Sequence, residues 1–185
     1  MKKTVIKISS PIENKILKKL KTGNRVLISG TIYVARDAAH RRMVDTLDTG
    51  EELPFKITGQ TIYYMGPTPA KSGHVIGSAG PTTSSRMDIF TPRLLEAGLR
   101  AMIGKGDRSP AVKEAIKKHG AVYFVTTGGA SALLSKSIKK VEVKAYEELG
   151  PEALLCLQVD SFPAIVANDL YGTDLFEQGR SQYQR

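Results

Sequence analysis

Residues 25–50 read RVLISGTIYVARDAAHRRMVDTLDTG. From Arg25 to Ala35 the run is aliphatic and β-branched, which predicts a strand, and Gly30 within it predicts a bend or bulge. Arg36 and Asp37 follow at its C-terminal end. Asp37 is placed to cap a helix whose apolar positions are Ala38, Ala39, Met43, Val44 and Leu47, and Gly50 stops it. A strand that feeds a helix through a two-residue charged junction is the repeating unit of an α/β protein.

The flanking sequence extends that pattern. Thr4 to Ser9 alternates like a strand, and Ser10-Pro11-Ile12-Glu13 matches a helix start with Ser10 as N-cap, the helix ending near Gly23. Gln60 to Met65 and His74 to Ile76 are short apolar segments that frame a Gly/Pro loop. Thr91-Pro92 opens a helix closed by Gly98, Ala101 to Ile103 leads into Gly104-Lys105-Gly106, and Ser109-Pro110 starts an amphipathic helix to Gly120. The apolar run Ala121 to Val125 precedes Thr126-Thr127-Gly128-Gly129. Ile138 to Val143, Leu154 to Val159 and Ala164 to Ala167 read as three late strands, so the sheet should mix parallel and antiparallel pairs. Gly128-Gly129-Ala130-Ser131 reads either as a tight strand-to-helix turn or as a close approach to a ligand or partner. No repeat or low-complexity segment interrupts a single domain over 1–185, and about 173–185 form a polar tail, partly disordered or docked on a partner.

The chain has 185 residues, 41% hydrophobic and 24% charged, which suits one globular domain. Its net charge of +9 is unevenly placed: residues 1–42 hold 11 Lys/Arg against 2 Asp/Glu, and the remainder holds 16 of each. Such a surface can meet nucleic acid, an acidic partner subunit or an anionic substrate. Aromatic residues make up 6% and are not interleaved with basic ones, so nucleic-acid binding is not expected. No stretch approaches the roughly 20 apolar residues of a membrane span, and no signal-peptide core follows Lys2 and Lys3, which places the chain in the cytoplasm. The single cysteine, Cys156, forms no internal disulfide and no metal site by itself, and its apolar neighbours suggest an ordinary buried thiol.

Residues 66–88, GPTPAKSGHVIGSAGPTTSSRMD, concentrate glycine, small hydroxyls and one arginine in a segment too polar for a core. From Gly80 to Arg86 it runs into an expected helix start, where free N–H groups favour an anion, and Arg86 adds a bidentate clamp. Arg36 and Lys105 also fall at strand or helix junctions, the places where α/β proteins hold ligands. Together the three cations form a candidate dianion receptor. Thr82 and Thr83 read either as helix caps or as hydroxyls presented to a substrate. His40, His74 and His119 are too scattered for a metal site or a triad, and His119 beside Gly120 suits a helix C-terminus. The segment Gly98 to Lys105 fails as a phosphate loop, because its glycine spacing is wrong and Gly106 follows the lysine.

VARDAAH, GHVIGSAGPTTSSRMD, IGKG and FPAIV at Phe162 to Val166 resemble the β subunit, equivalent to the C-terminal domain, of the iron–sulfur class I fumarate hydratase and tartrate dehydratase family. The resemblance covers about Gly23 to Gly172. It implies a swivelling β/β/α three-layer domain with a mixed sheet, closing over an α subunit whose three cysteines hold a [4Fe–4S] cluster with one open iron. This chain would ligate no metal itself. The iron would act as a Lewis acid on a dicarboxylate, fumarate or malate, in a non-redox hydration. Arg36, Arg86 and Lys105 would hold the substrate carboxylates, Thr82 would take the proton-transfer position, and Thr83 would shape the pocket. The assembly implied is a hetero-oligomer, with a homodimer the alternative for the isolated chain.

Three functions follow as expectations: the β subunit of a fumarate hydratase; that of an L(+)-tartrate dehydratase, whose substrate's extra hydroxyl demands one more polar contact; or a non-catalytic module that binds an anion or a partner.

Overall fold

A computed structural model describes residues 5–68, 70, 73, 75–126 and 131–183. The strands are β1 (Val5–Ser10), β2 (Arg25–Val34), β3 (Thr61–Tyr63), β4 (Ala101–Gly104), β5 (Val122–Val125), β6 (Ile138–Ala145) and β7 (Leu154–Asn168). The helices are α1 (Asn14–Leu17), α2 (Asp37–Asp48), α3 (Thr91–Glu96), α4 (Pro110–His119), α5 (Ser131–Lys136) and α6 (Leu175–Tyr183). One mixed sheet of 7 strands runs β1-β2-β3-β4-β5-β7-β6, with β2 pairing β7 as well. Strands β1 to β5 pair in parallel, and β7 runs antiparallel to β2, β5 and β6.

That second pairing of β2 curls the sheet until β2, β3, β4, β5 and β7 form a closed circuit. Strand alternation then sorts the apolar side chains into two cores. Ile28, Ile32, Tyr63, Ile103, Phe124, Leu157 and Phe162 face inward, while Ile62, Tyr64, Met102 and Tyr123 face helices that contribute Met43, Leu94, Leu95, Val112 and Ile116. Gly30 carries the expected irregularity: its φ is 103°, the register against β7 shifts there, and a Cβ would collide with the Ser10 carbonyl. The C-terminal ends of the parallel strands β2, β3 and β4 emerge together, and the loops bearing Arg36, residues 66–88 and Lys105 leave from them.

Several local expectations are corrected. Ser10 caps no helix: its hydroxyl bonds Thr61 Oγ1 at 2.9 Å, and α1 begins only at Asn14 behind Glu13. In the second short apolar segment, His74 lies outside the described residues. The two segments read as Leu154–Val159 and Ala164–Ala167 are one 15-residue strand, β7. Its pairing with β2 on both sides of the register shift overrides the break suggested by Asp160-Ser161-Phe162-Pro163, which survives as a kink with Ser161 at φ 54°. Cys156 is half-buried rather than buried, and burial raises its thiol pKa. Thr4 and residues 127–130, which include Gly128-Gly129-Ala130 of the segment read as a turn or a close approach, lie outside the described residues.

Leu175–Tyr183, within the stretch read as a polar tail, forms α6. None of its residues is fully buried, but Leu175 and Phe176 pack partly buried against the helix-side core, and charge adds to the hold: Lys113 of α4 meets Asp107 at 3.1 Å, Asp174 at 2.5 Å and Glu177 at 2.9 Å, while Arg180 meets Asp107 at 3.2 Å. Helix α4 ends as its sequence predicts, on Gly120 in the left-handed conformation with Lys117, Lys118 and His119 in its last turn.

His40 is fully buried on α2, edge-on to Tyr64 at 5.2 Å. Its Nδ1 lies 2.9 Å from the Arg36 carbonyl, which can only accept, so Nδ1 carries the proton and the ring is neutral. Burial, with help from the nearby charge of Arg108, lowers its pKa from 6.5 to about 4. Between those two pH values the unfolded chain binds a proton that the folded chain refuses, so stability falls as pH drops through that window. The loss attributable to His40 should approach about 3 kcal/mol below pH 4. Urea titrations of wild type and His40→Gln at pH 7 and pH 4.5 check this: the gap between the two must narrow or reverse at the lower pH.

Candidate functional site

Arg36 lies two residues beyond the end of β2 and occupies the N-cap position of α2, its backbone still extended at φ −117° and ψ −163°. Its guanidinium lies across Gly66, where any Cβ would strike Nη1, so the glycine that opens the loop gives the arginine its bed. Nη2 meets Glu152 Oε1 at 3.0 Å, and Nε is buried with no hydrogen-bond partner among the described residues. Glu152 belongs to the 3-10 segment Glu147–Glu152 before β7. Its other oxygen accepts the Ala38 N–H at 2.9 Å, so it, not Asp37, caps the helix.

Asp37 is free for another task. Its carboxylate takes the side edge of Arg86, with Nε to Oδ1 at 3.1 Å and Nη2 to Oδ2 at 2.7 Å. The two arginines, 50 residues apart in the chain, are therefore seated on adjacent residues at the start of α2.

The returning arm of the loop behaves like a short strand laid beyond the ends of β3 and β4. Pro81 bridges Met65, the Thr82 N–H donates to the Tyr64 carbonyl at 2.8 Å, Thr83 bridges Lys105 in parallel register, and the Ser84 N–H donates to the Lys105 carbonyl at 3.0 Å. Thr82 is half-buried, and Thr83 and Lys105 are exposed. The expected helix after Gly80 is a single 3-10 turn, Ser84–Met87, with no side-chain cap from Thr83. Four residues align too few peptide dipoles to attract an anion by themselves, so the positive field here comes from side chains. All five residues singled out in the sequence thus come to one end of the sheet.

Beneath them lies a layer that the sequence did not disclose. The Tyr123 hydroxyl donates its one proton to the Gly106 carbonyl at 2.8 Å, so the Ser84 hydroxyl, also at 2.8 Å, must donate to Tyr123. This relay ties the threonine arm to the Gly104-Lys105-Gly106 turn from below. Gly104 makes room for it, because a Cβ there would fall on Ser84 Oγ and 3.0 Å from Tyr64 Cδ2. Gly104→Ala should cost about 1–3 kcal/mol through this overpacking. Thermal denaturation checks it, and Ser84→Ala in the same chain should return part of the loss; additive losses would place the strain elsewhere.

Further down, Arg108 is wholly buried, with Nε on Asp88 Oδ1 at 2.7 Å, Nη2 on Thr91 Oγ1 at 2.8 Å, and Tyr64 and Tyr123 flanking its cation. Asp88 closes the 66–88 segment and Arg108 lies 20 residues further on, so no local sequence signal announced their pairing. By contrast, a hollow of about 330 Å³ near the start of β2 is walled mostly by apolar side chains such as Val26, Leu27, Leu134 and Pro163, with Arg25 as the one cation among the described residues that line it, against the three cations gathered at the other site.

Residues 1–179 match the family described as Fumarase C-terminus. A class I aerobic fumarate hydratase of Salmonella typhimurium is 43% identical over 159 residues, covering 85% of this chain and 27% of that protein. A putative class I fumarate hydratase of Geobacillus stearothermophilus is 36% identical, covering 94% of this chain and 34% of that protein. A putative L(+)-tartrate dehydratase subunit beta of Methanocaldococcus jannaschii is 38% identical, covering 90% of this chain and 89% of that protein. The chain thus spans about a third or less of the fumarate hydratases named here and nearly the whole of the separate β subunit. It belongs to the fumarase C-terminus family.

Proposed function

We propose that this chain is the β subunit of a two-subunit class I fumarate hydratase that interconverts fumarate and (S)-malate in the cytoplasm. The observation that carries the reading is the gathering of Arg36, Arg86 and Lys105 around the Thr82–Thr83 arm at the C-terminal ends of β2, β3 and β4. Three cations suit a dianion. They also suit the extra charge that develops on a carboxylate when the adjacent carbon loses its proton. In this reading Arg36, Arg86 and Lys105 bind the substrate carboxylates, Thr82 takes the proton, and Thr83 shapes the wall beside it. A threonine hydroxyl is a weak base, so the neighbouring cations must stabilise its deprotonated form during transfer.

The chain does not fit a [4Fe–4S] cluster of its own. It has one cysteine, half-buried on β7, and among the described residues no group of His, Cys, Asp or Glu could hold a metal. The reading therefore assigns the cluster and its three cysteines to an α subunit, and gives this chain the part of a swivelling domain that closes over it. No helix among the described residues is long and apolar enough to cross a membrane.

The second reading is the β subunit of an L(+)-tartrate dehydratase, favoured by the nearly full-length match to a relative of that name. The test is anaerobic purification of the tagged chain from its source cell, followed by turnover of malate and of tartrate by whatever assembly results. Copurification of a cysteine-bearing partner with malate turnover supports the first reading. A clear tartrate preference selects the second, and an inactive chain recovered alone from cells containing such a partner defeats both in favour of an anion-binding module.

A further inference from the structure

Arg86 is 47% exposed, in the single 3-10 turn Ser84–Met87, and carries a long side chain with many rotamers, yet a substrate clamp needs its guanidinium in one orientation. Asp37 supplies that constraint. Its two oxygens take Nε and Nη2, the side edge of the fork, which leaves the Nη1/Nη2 end edge to receive a second carboxylate. Arg36, one residue before Asp37, is also held by a carboxylate, through one contact. Glu152 takes Nη2 of Arg36 and anchors its own second oxygen on the Ala38 N–H, so both arginines are held from the first turn of the 12-residue helix α2.

We infer that Asp37 is a positioning residue: it aims the end edge of Arg86 at the incoming substrate carboxylate. The inference rests on the proposed function for its substrate but on geometry alone for the aim. It has a direct rival, in which Asp37 is a placeholder that substrate must displace. The two differ in sign. An aimed clamp that loses its constraint binds substrate less tightly, whereas a displaced placeholder that loses its charge gives way more easily.

The exposed ion pair contributes little to stability, so Asp37→Asn should remain folded. In the assembled enzyme, the Michaelis constant for malate should rise about tenfold or more with a smaller change in kcat. Asp37→Glu, which keeps the charge, should recover part of it. A constant that is unchanged or lower overturns the inference, the lower value identifying a placeholder. An independent readout is the Arg86 Nε–H resonance in a ¹⁵N-labelled sample, assigned by its loss in Arg86→Lys. It should be protected from exchange in the wild type and lost in Asp37→Asn, and its persistence in the variant overturns the inference as well. If the wild-type assembly turns over neither malate nor tartrate, the functional reading falls separately and this resonance still decides the role of Asp37.

Discussion

Thr82→Ala and Arg86→Ala should each remove turnover from the assembled enzyme while leaving the chain folded and the subunits together. Thr82 keeps its place through its main chain, because its N–H donates to the Tyr64 carbonyl and the flanking Pro81 and Thr83 bridge Met65 and Lys105. Alanine preserves those contacts and deletes only the hydroxyl. If that hydroxyl moves the proton, kcat should fall by about 10²–10⁴, the usual contribution of a placed acid or base. Arg86→Ala deletes a cation that stabilises developing charge, and a comparable loss of about 10²–10³ is expected. Neither variant should shift the urea midpoint appreciably, since the Arg86–Asp37 pair is partly solvent-exposed and a pair of this kind is worth about 0–1 kcal/mol. Steady-state rates on malate beside denaturation curves separate the two quantities. A near-normal rate in either variant removes that residue's assigned role.

The parts of this molecule that could be read in advance depend on local chemistry. Asp37 to Leu47 carries helical periodicity, Gly120 and the three basic residues before it mark a helix end, and Gly30 marks a bulge, each from residues within a few positions of one another. The closed circuit of strands was not legible, because it arises from β7 pairing β2 some 130 residues away in sequence. The same distinction divides the site. Arg36, Thr82, Thr83, Arg86 and Lys105 stand out by residue type at glycine-rich junctions. Their supports do not: Glu152 lies in an ordinary acidic segment, Tyr123 in an ordinary apolar strand, and Asp37 has an equally good local reading as a helix cap. A long-range ion pair is the product of topology, so a short polar residue with two plausible uses is assigned to the nearer one until the fold is known.

The interior beneath the site yields the second large effect. Arg108 has no exposed side-chain surface, and Asp88, its partner at 2.7 Å, is only 11% exposed. Asp88 also accepts the Ser109 N–H at 2.6 Å, so one carboxylate joins the end of the motif block to the start of α4. Arg108→Met fills similar volume but leaves that carboxylate with one donor in a place water scarcely reaches, and it strips the cation from between Tyr64 and Tyr123. Breaking a buried pair from one side costs about 3–5 kcal/mol, a large fraction of a domain's stability. Arg108→Met combined with Asp88→Asn should recover much of the loss, because the uncompensated charge is then gone even though the ion pair is not restored. Asp88 follows Arg86 by two residues, so the single variant should also lower kcat/KM at temperatures well below its unfolding transition, as the arm bearing Thr82 loses its anchor. Urea denaturation of the four proteins in this cycle measures the coupling. A loss under about 1 kcal/mol for Arg108→Met would mean that Asp88 finds water or another donor and that the arm is held by its main-chain bonds to Tyr64 and Lys105 instead.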